Sequence, residues 1–259
     1  MSMKLHIVAV ALLAGCARPG SVPFSVVERA QPQLLDLDAT GITVDENGRR
    51  LLWASQRGLV TAAEPHELVM PILSSFAVED VAAFPGNRVG VIGRGEGRVL
   101  DMTTGRAVSR FCYVPDSFGD SPVPTPVNPV PTRTQLSRSI AFGADEGRIY
   151  VQPQTFENDR PVDTQLGQFE LGNDQPLEWQ GMEELDGIAG GMVVTRQNRI
   201  LLGLGDRLFE YDSSTQTWGR SFDLAGRLVS IEGLAIDRTT NTLLVLDGPG
   251  RRVLELDLP

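Results

Sequence analysis

Three acidic residues stand at the heads of apolar runs in this chain. Glu79 and Asp80 precede Val81-Ala82-Ala83-Phe84, and Glu232 precedes Gly233-Leu234-Ala235-Ile236. Asp186 lies just before a further run, Gly190-Gly191-Met192-Val193-Val194, and Arg138 heads Ser139-Ile140-Ala141-Phe142. Carboxylates that converge can hold Ca2+, which takes six to eight hard oxygen ligands. Glu79, Asp80 and Glu232 are the ligands expected for such an ion. Arg138 is the cation of the set, and a salt bridge from it to Glu79 or Glu232 orders the group without any metal. Nothing in the sequence demands a cofactor, and calcium is the ion these residues suit.

Other catalytic arrangements are missing. His66, in the polar stretch Glu64-Pro65-His66-Glu67, reads as solvent-exposed, and one histidine beyond the N-terminal segment cannot build a multi-histidine zinc site. No Gly-x-Ser-x-Gly elbow exists for a serine nucleophile. Gly93-Arg94-Gly95-Glu96-Gly97 lacks the Gly-Lys-Ser/Thr ending of a phosphate loop and reads as a hairpin turn.

Cys16 carries a different chemistry. Lys4 supplies a positive start, Ile7 to Ala14 an apolar stretch about half the length needed to span a bilayer, and Leu13-Ala14-Gly15 leads into the cysteine. This resembles the signal of bacterial lipoproteins. The resemblance implies removal of residues 1–15, lipidation of Cys16, a tether over residues 16–23, and attachment to the cell envelope. With Ala17 after the cysteine, it points to the outer membrane. Several acyl chains on one residue hold a protein stably where one chain is marginal. Cys112 is then left alone, with no partner for an internal disulfide, and reads as a buried thiol.

The formal charge is −10, and Lys4 is the single lysine, so the basic residues beyond it are all arginine. An acidic chain without clustered basic residues is not a nucleic-acid binder.

The residues at the heads of the runs are far apart in sequence, so a repeat must bring them together. Short β-rich runs separated by Gly, Asn and Asp turns recur with starts near residues 40, 79, 138, 190 and 232. Thr40, Glu79, Arg138, Gly190 and Glu232 occupy the same place in each unit. Third strands follow in three units, aligning Leu100 with Phe209 and Leu254, and Asp101 with Glu210 and Glu255; the acidic column reads as a solvated face. Such self-similarity is the mark of an all-β fold, a β-propeller of five four-stranded blades over residues 24–259. A sixth blade requires a degenerate unit in residues 104–136 or 152–182. The strand Phe24-Ser25-Val26-Val27-Glu28 is expected to complete the last blade and close the ring. Innermost strands of a propeller converge on its channel, which puts the five column residues at one mouth.

The phrase Ile231-Glu232-Gly233-Leu234-Ala235-Ile236-Asp237, followed by Asn241-Thr242-Leu243-Leu244-Val245-Leu246-Asp247, resembles blades of the NHL and SdiA-regulated propeller families. More distantly it resembles the calcium-dependent gluconolactonase family, whose metal-binding segment Glu232-Gly233 matches at its start. Arg138 and Gly190 stand where further ligands of that family are wanted, which sets this chain apart from it. Residues 115–132 form a Pro-rich loop insertion, suited to an extended surface arm. Together these features lead to a lipid-anchored propeller acting as a protein-binding or scaffold module in an envelope complex. A metal-dependent lactonase- or esterase-like hydrolase is the second reading. The third, a small-ligand or polysaccharide binder, calls for exposed aromatics, with Trp53, Trp179 and Trp218 as candidates.

Overall fold

Runs such as Leu51-Leu52-Trp53, Ile200-Leu201-Leu202 and Leu243-Leu244-Val245-Leu246 have no polar alternation. Strands built from them must bury both faces, which a sheet achieves only between two neighbours. A computed structural model shows how. It describes residues 23–24, 27–71, 76–93, 96–112, 133–143, 147–157, 160–170, 176–182 and 189–257. Cys16, the Pro-rich loop and Asp186 lie outside the described residues, as do the side chains of Cys112, Arg138 and Trp179.

The chain starts with two short strands, β1 (Pro23–Phe24) and β2 (Gln33–Leu34). Blade 1 is β3 (Ala39–Val44), β4 (Arg50–Ala54), β5 (Gly58–Thr61) and β6 (Leu68–Pro71). Blade 2 is β7 (Asp80–Phe84), β8 (Arg88–Gly93), β9 (Glu96–Asp101) and β10 (Ala107–Cys112). Blade 3 has longer strands: β11 (Arg133–Gly143), β12 (Arg148–Glu157), β13 (Arg160–Glu170) and β14 (Pro176–Gly181). Blade 4 is β15 (Ala189–Val194), β16 (Arg199–Leu204), β17 (Arg207–Asp212) and β18 (Thr217–Asp223). Blade 5 is β19 (Ile231–Asp237), β20 (Thr242–Asp247) and β21 (Arg252–Asp257), with β2 as its fourth strand. Each blade is antiparallel, and no helix occurs among the described residues. The chain is a five-bladed β-propeller, and residues 104–136 and 152–182 supply strands of blades 2 and 3 in place of a sixth blade.

Five apolar clusters hold the ring, one in each gap between blades. Trp53 and Leu59 of blade 1 meet Val89 and Leu100 of blade 2, and Phe111 of blade 2 meets Phe169 of blade 3 with ring centroids 5.0 Å apart. Tyr150 of blade 3 joins Leu202 of blade 4, and Leu208 of blade 4 joins Val245 of blade 5. Leu244 and Leu246 of blade 5 close on Ile42 and Leu52 of blade 1.

The N-terminal segment does complete the last blade, through residues other than a continuous Phe24–Glu28 strand. Glu28 bridges Leu256, Asp257 donates its N–H to the Val27 carbonyl at 3.0 Å, and Gln33 and Leu34 pair with Val253 and Arg252. Pro23–Phe24 instead runs parallel to β18 on the rim of blade 4.

The third-strand register also differs from the sequence alignment. Pairing with the second strands matches Arg88 to Asp101, Arg199 to Asp212 and Thr242 to Asp257, so the shared acidic column is Asp101, Asp212 and Asp257. Glu210 is not on a solvated face. It is 7% exposed and takes both the Nε and a terminal nitrogen of Arg220, at 2.9 and 2.7 Å.

Candidate functional site at the channel mouth

At the N-terminal ends of the innermost strands, the pairing with the second strand skips in the same place. In blade 1, Ala39 pairs with Ala54 and Gly41 with Trp53, leaving Thr40 over. In blade 3 the residue left over is Arg138, and in blade 5 it is Glu232. Blade 4 leaves Gly190 and Gly191 over. In blade 2, Asp80 pairs with Ile92 while Glu79 donates its N–H to the same carbonyl at 2.8 Å, so Glu79 is the extra residue. A bulge takes one residue out of the ladder and re-aims its side chain. The bulged residues are therefore the column read from the repeat: Thr40, Glu79, Arg138, Gly190 and Glu232.

The next position in each blade is Gly41, Asp80, Ser139, Gly191 and Gly233. A Cβ on Gly41 would lie 3.1 Å from Val81 N, one on Gly191 2.5 Å from Leu234 N, and one on Gly233 3.0 Å from Ile42 N. Each small residue thus abuts an amide of the following blade. Asp80 stands where the others have no room for a carboxylate, and it uses the same direction chemically: its Oδ2 accepts the N–H of Ile140 in blade 3 at 3.0 Å. Gly41 makes space on the other side, since a Cβ there would come within 3.0 Å of Asp80 Oδ1.

Asp80 is 1% exposed, and its Oδ1 makes no hydrogen bond. Burial drives its carboxyl well above the usual carboxylate range, against a smaller opposing pull from the amides of Ile140 and Val81. The neighbouring blade 3 holds more buried polar atoms of this kind. Ser139 and Gln152 are cross-strand partners, both 0% exposed, and Ser139 Oγ, Gln152 Oε1 and Gln152 Nε2 have no hydrogen-bond partner. Gln154, on the same face of β12, is satisfied: its Oε1 accepts the N–H of Ala189 at 3.1 Å and its Nε2 donates to Thr164 Oγ1 at 3.2 Å. Buried polar atoms without partners are uncommon and mark places where a water, ion or ligand belongs. Sequence reasoning missed Ser139 and Gln152; the one signal was a glutamine directly following the apolar run Ile149-Tyr150-Val151.

Glu79 and Glu232 are half-buried at the mouth. The carboxylate of Glu232 lies against Gly248, where a Cβ would come within 2.0 Å of Glu232 Oε2. Gly190, which the gluconolactonase comparison wanted as a ligand, is a glycine for steric reasons: a Cβ there would lie 1.9 Å from the Ile231 carbonyl oxygen. Among the described residues, the group of three metal-capable side chains with ligand atoms all within 4.8 Å of one another is Asp36, Glu64 and His66, away from the channel. His66 is accordingly not the exposed residue expected: it is 9% exposed, with Nε2 2.8 Å from Asp36 Oδ1.

The opposite mouth is narrow, a space of about 70 Å3 lined by residues such as Thr43, Ala83, Phe142, Val194 and Arg238. A larger depression of about 580 Å3 lies between blades 4 and 5, lined by Arg196, Arg199, Arg220 and Arg238 with Glu210 among them. Trp53 is buried in the core, and Trp218 packs half-buried against Tyr211 with centroids 5.0 Å apart, so neither offers a platform for a sugar.

No family model matches the sequence, and no curated protein matches it. Solved structures do share the fold. A glutaminyl cyclase of Myxococcus xanthus superposes with a TM-score of 0.62 at 12% identity, covering 91% of this chain and 97% of that one. A Xanthomonas campestris gluconolactonase, important in glucose secondary metabolic pathways, gives a TM-score of 0.54 at 13% identity, covering 84% of this chain and 71% of that one.

Proposed function

We propose that the N-terminal mouth of the channel binds a small polar molecule and acts on it by carboxyl acid–base chemistry. Glu79 and Glu232 stand at the rim, and Asp80 lies beneath them, its carboxyl pushed toward the neutral form by burial. The observation that carries this reading is Asp80 itself, buried one residue below the bulged column with an oxygen left without a partner. A protonated carboxyl can donate a hydrogen bond where an ionised one cannot. Glu79 and Glu232, at the heads of their innermost strands, can exchange a proton with a bound molecule. The names of the two solved neighbours, a cyclase and a lactonase, favour chemistry at an amide or lactone carbonyl over a passive scaffold.

The test is turnover of glucono-1,5-lactone and of an N-terminal glutaminyl peptide, with EDTA and with added Ca2+. Glu79→Gln and Glu232→Gln are expected to lower turnover by about 10²-fold or more while leaving the melting temperature nearly unchanged. A wild-type protein inert toward both compounds, or variants as active as it, would reject the reading. A calcium requirement would restore Glu79, Asp80 and Glu232 as ligands.

The anchor belongs to the same proposal. Pro23–Phe24 pairs on the outermost strand of blade 4, which places these two residues at the rim. Lipidation at Cys16 would hold the disc at a bacterial envelope membrane by its edge. An envelope protein partner remains a separate proposal, and crosslinking followed by affinity purification from membranes would detect it. Release of Cys16→Ser into the soluble fraction is the result the anchor requires.

A further inference from the structure

Away from the channel, Asp36, Glu64 and His66 meet where the ring-closing segment joins blade 1. Asp36 follows β2, the fourth strand of blade 5, and His66 lies in the connection between β5 and β6 of blade 1. One ligand atom from each side chain lies within 4.8 Å of the other two.

The imidazole is nine-tenths buried, and both its nitrogens are committed. Nδ1 lies 2.8 Å from the carbonyl oxygen of Thr61. A carbonyl only accepts, so Nδ1 carries a proton and donates it. In a neutral ring, Nε2 then presents its lone pair, and it faces Asp36 Oδ1 at 2.8 Å. Two acceptors at that distance need a cation between them, a proton or a metal ion. Glu64 brings a second carboxylate oxygen within 4.8 Å of both, which a single shared proton does not require.

An imidazole fixed through Nδ1–H to a backbone carbonyl, with Nε2 directed at the ion, is how histidine ligands are oriented in metal sites. The surrounding frame is held independently: Arg57 donates to the His66 carbonyl at 2.9 Å, Glu67 N–H to Thr61 Oγ1 at 2.8 Å, and Gln33 Nε2 to the Ala62 carbonyl at 2.8 Å. One ring nitrogen with two carboxylates suits zinc or a related first-row ion, whereas calcium takes oxygen alone.

We propose that Asp36, Glu64 and His66 bind a divalent transition-metal ion, zinc by ligand chemistry, with water completing the coordination. The ion clasps the N-terminal segment to blade 1 and so locks the propeller ring. This site does not depend on the channel mouth or its activity.

The test uses the full chain stripped of metal and titrated with ZnCl2, CaCl2 and CoCl2. Asp36 and Glu64 are exposed, so Asp36→Asn and Glu64→Gln leave the core intact; His66→Gln is the third variant. Zinc is expected to raise the melting temperature where calcium does not, and cobalt to give visible ligand-field bands. Each variant should weaken zinc binding at least tenfold by calorimetry. The proposal is overturned if wild type shows no zinc-dependent shift and no cobalt bands. It is equally overturned if Asp36→Asn and Glu64→Gln bind zinc as tightly as wild type; His66 then carries protons on both nitrogens in a simple ion pair.

Discussion

Asp80 Oδ2 accepts the backbone N–H of Ile140 at 3.0 Å, tying blade 2 to blade 3 at the axis of the ring, while its Oδ1 stays without a hydrogen bond. A group this buried costs stability once it ionises. Its folded-state pKa lies above the unfolded one, so the native state holds a proton that the unfolded chain has released. The stability that Asp80 contributes is therefore present in full at acid pH and is lost as pH rises through its folded pKa. Asp80→Asn is expected to melt above wild type at pH 8 and to converge with it near pH 4. Thermal melts across that range measure this, and the same variant should lose any turnover. A variant both more stable and inactive marks a group kept for chemistry.

Asp247 behaves oppositely. Its carboxylate, fully buried, accepts the N–H groups of Val229, Ser230 and Gly250 at 3.1, 3.3 and 3.1 Å and Arg252 Nε at 3.0 Å. Burial pushes its pKa up, but these donors together outweigh it and hold the carboxyl below its usual value. The stability it gives is present above the unfolded carboxylate range and is lost as pH falls through the folded pKa. Asp247→Ala should cost about 2–4 kcal/mol, since it strands several donors. That corresponds to roughly 5–15 °C in melting temperature. The variant's stability should also vary less with pH between about 5 and 2, in the range of the unfolded carboxylate and below.

Asp212 and Asp237 follow the same sign for a different local reason. Asp212 is held down first by the Ser214 hydroxyl, 2.6 Å from its Oδ1. In Asp237, burial raises the pKa, and hydrogen bonds from Thr239 and Thr240 overcome it. The Asp-x-Ser/Thr-Thr turns they cap join the strands of a hairpin, so Asp237→Ala should lower stability by about 1 kcal/mol. Chemical denaturation resolves a change of that size.

Gly190→Ala would drive a methyl group to 1.9 Å from the Ile231 carbonyl, which is backbone and cannot step aside. The expected outcome is little soluble protein, or a loss above about 3 kcal/mol. Gly205→Ala is the control. It has a φ of +57° and nothing within 4 Å, so it should cost only about 1–2 kcal/mol of left-handed strain.

Removing residues 1–35 takes away β2 and Leu35, which is 7% exposed in the core between blades 5 and 1. β21 would then present an unpaired edge. Self-association by size-exclusion chromatography with light scattering, together with a lower melting temperature, is the expected result. A monomer of unchanged stability would show that ring closure does not rest on this segment.

The sequence by itself determined the architecture and the mouth column. Thr40, Glu79, Arg138, Gly190 and Glu232 fall one per unit because alternation, turn residues and apolar runs are local signals, and each blade repeats them within a few dozen residues. What only the tertiary structure decided depends on partners distant in the chain. The third-strand register shifted by two residues in blade 2 because the pairing of Arg88 with Asp101 and of Arg199 with Asp212 cannot be counted from turn lengths alone. Glu210 became buried through the salt bridge to Arg220, a residue on the next strand. His66 left solvent because closing the ring carries Asp36 onto it from 30 residues away. Asp80 likewise reads as one more acid at the start of a strand. Only the approach of five innermost strands, with Gly41 on one side and the Ile140 amide on the other, withdraws it from water and changes its chemistry.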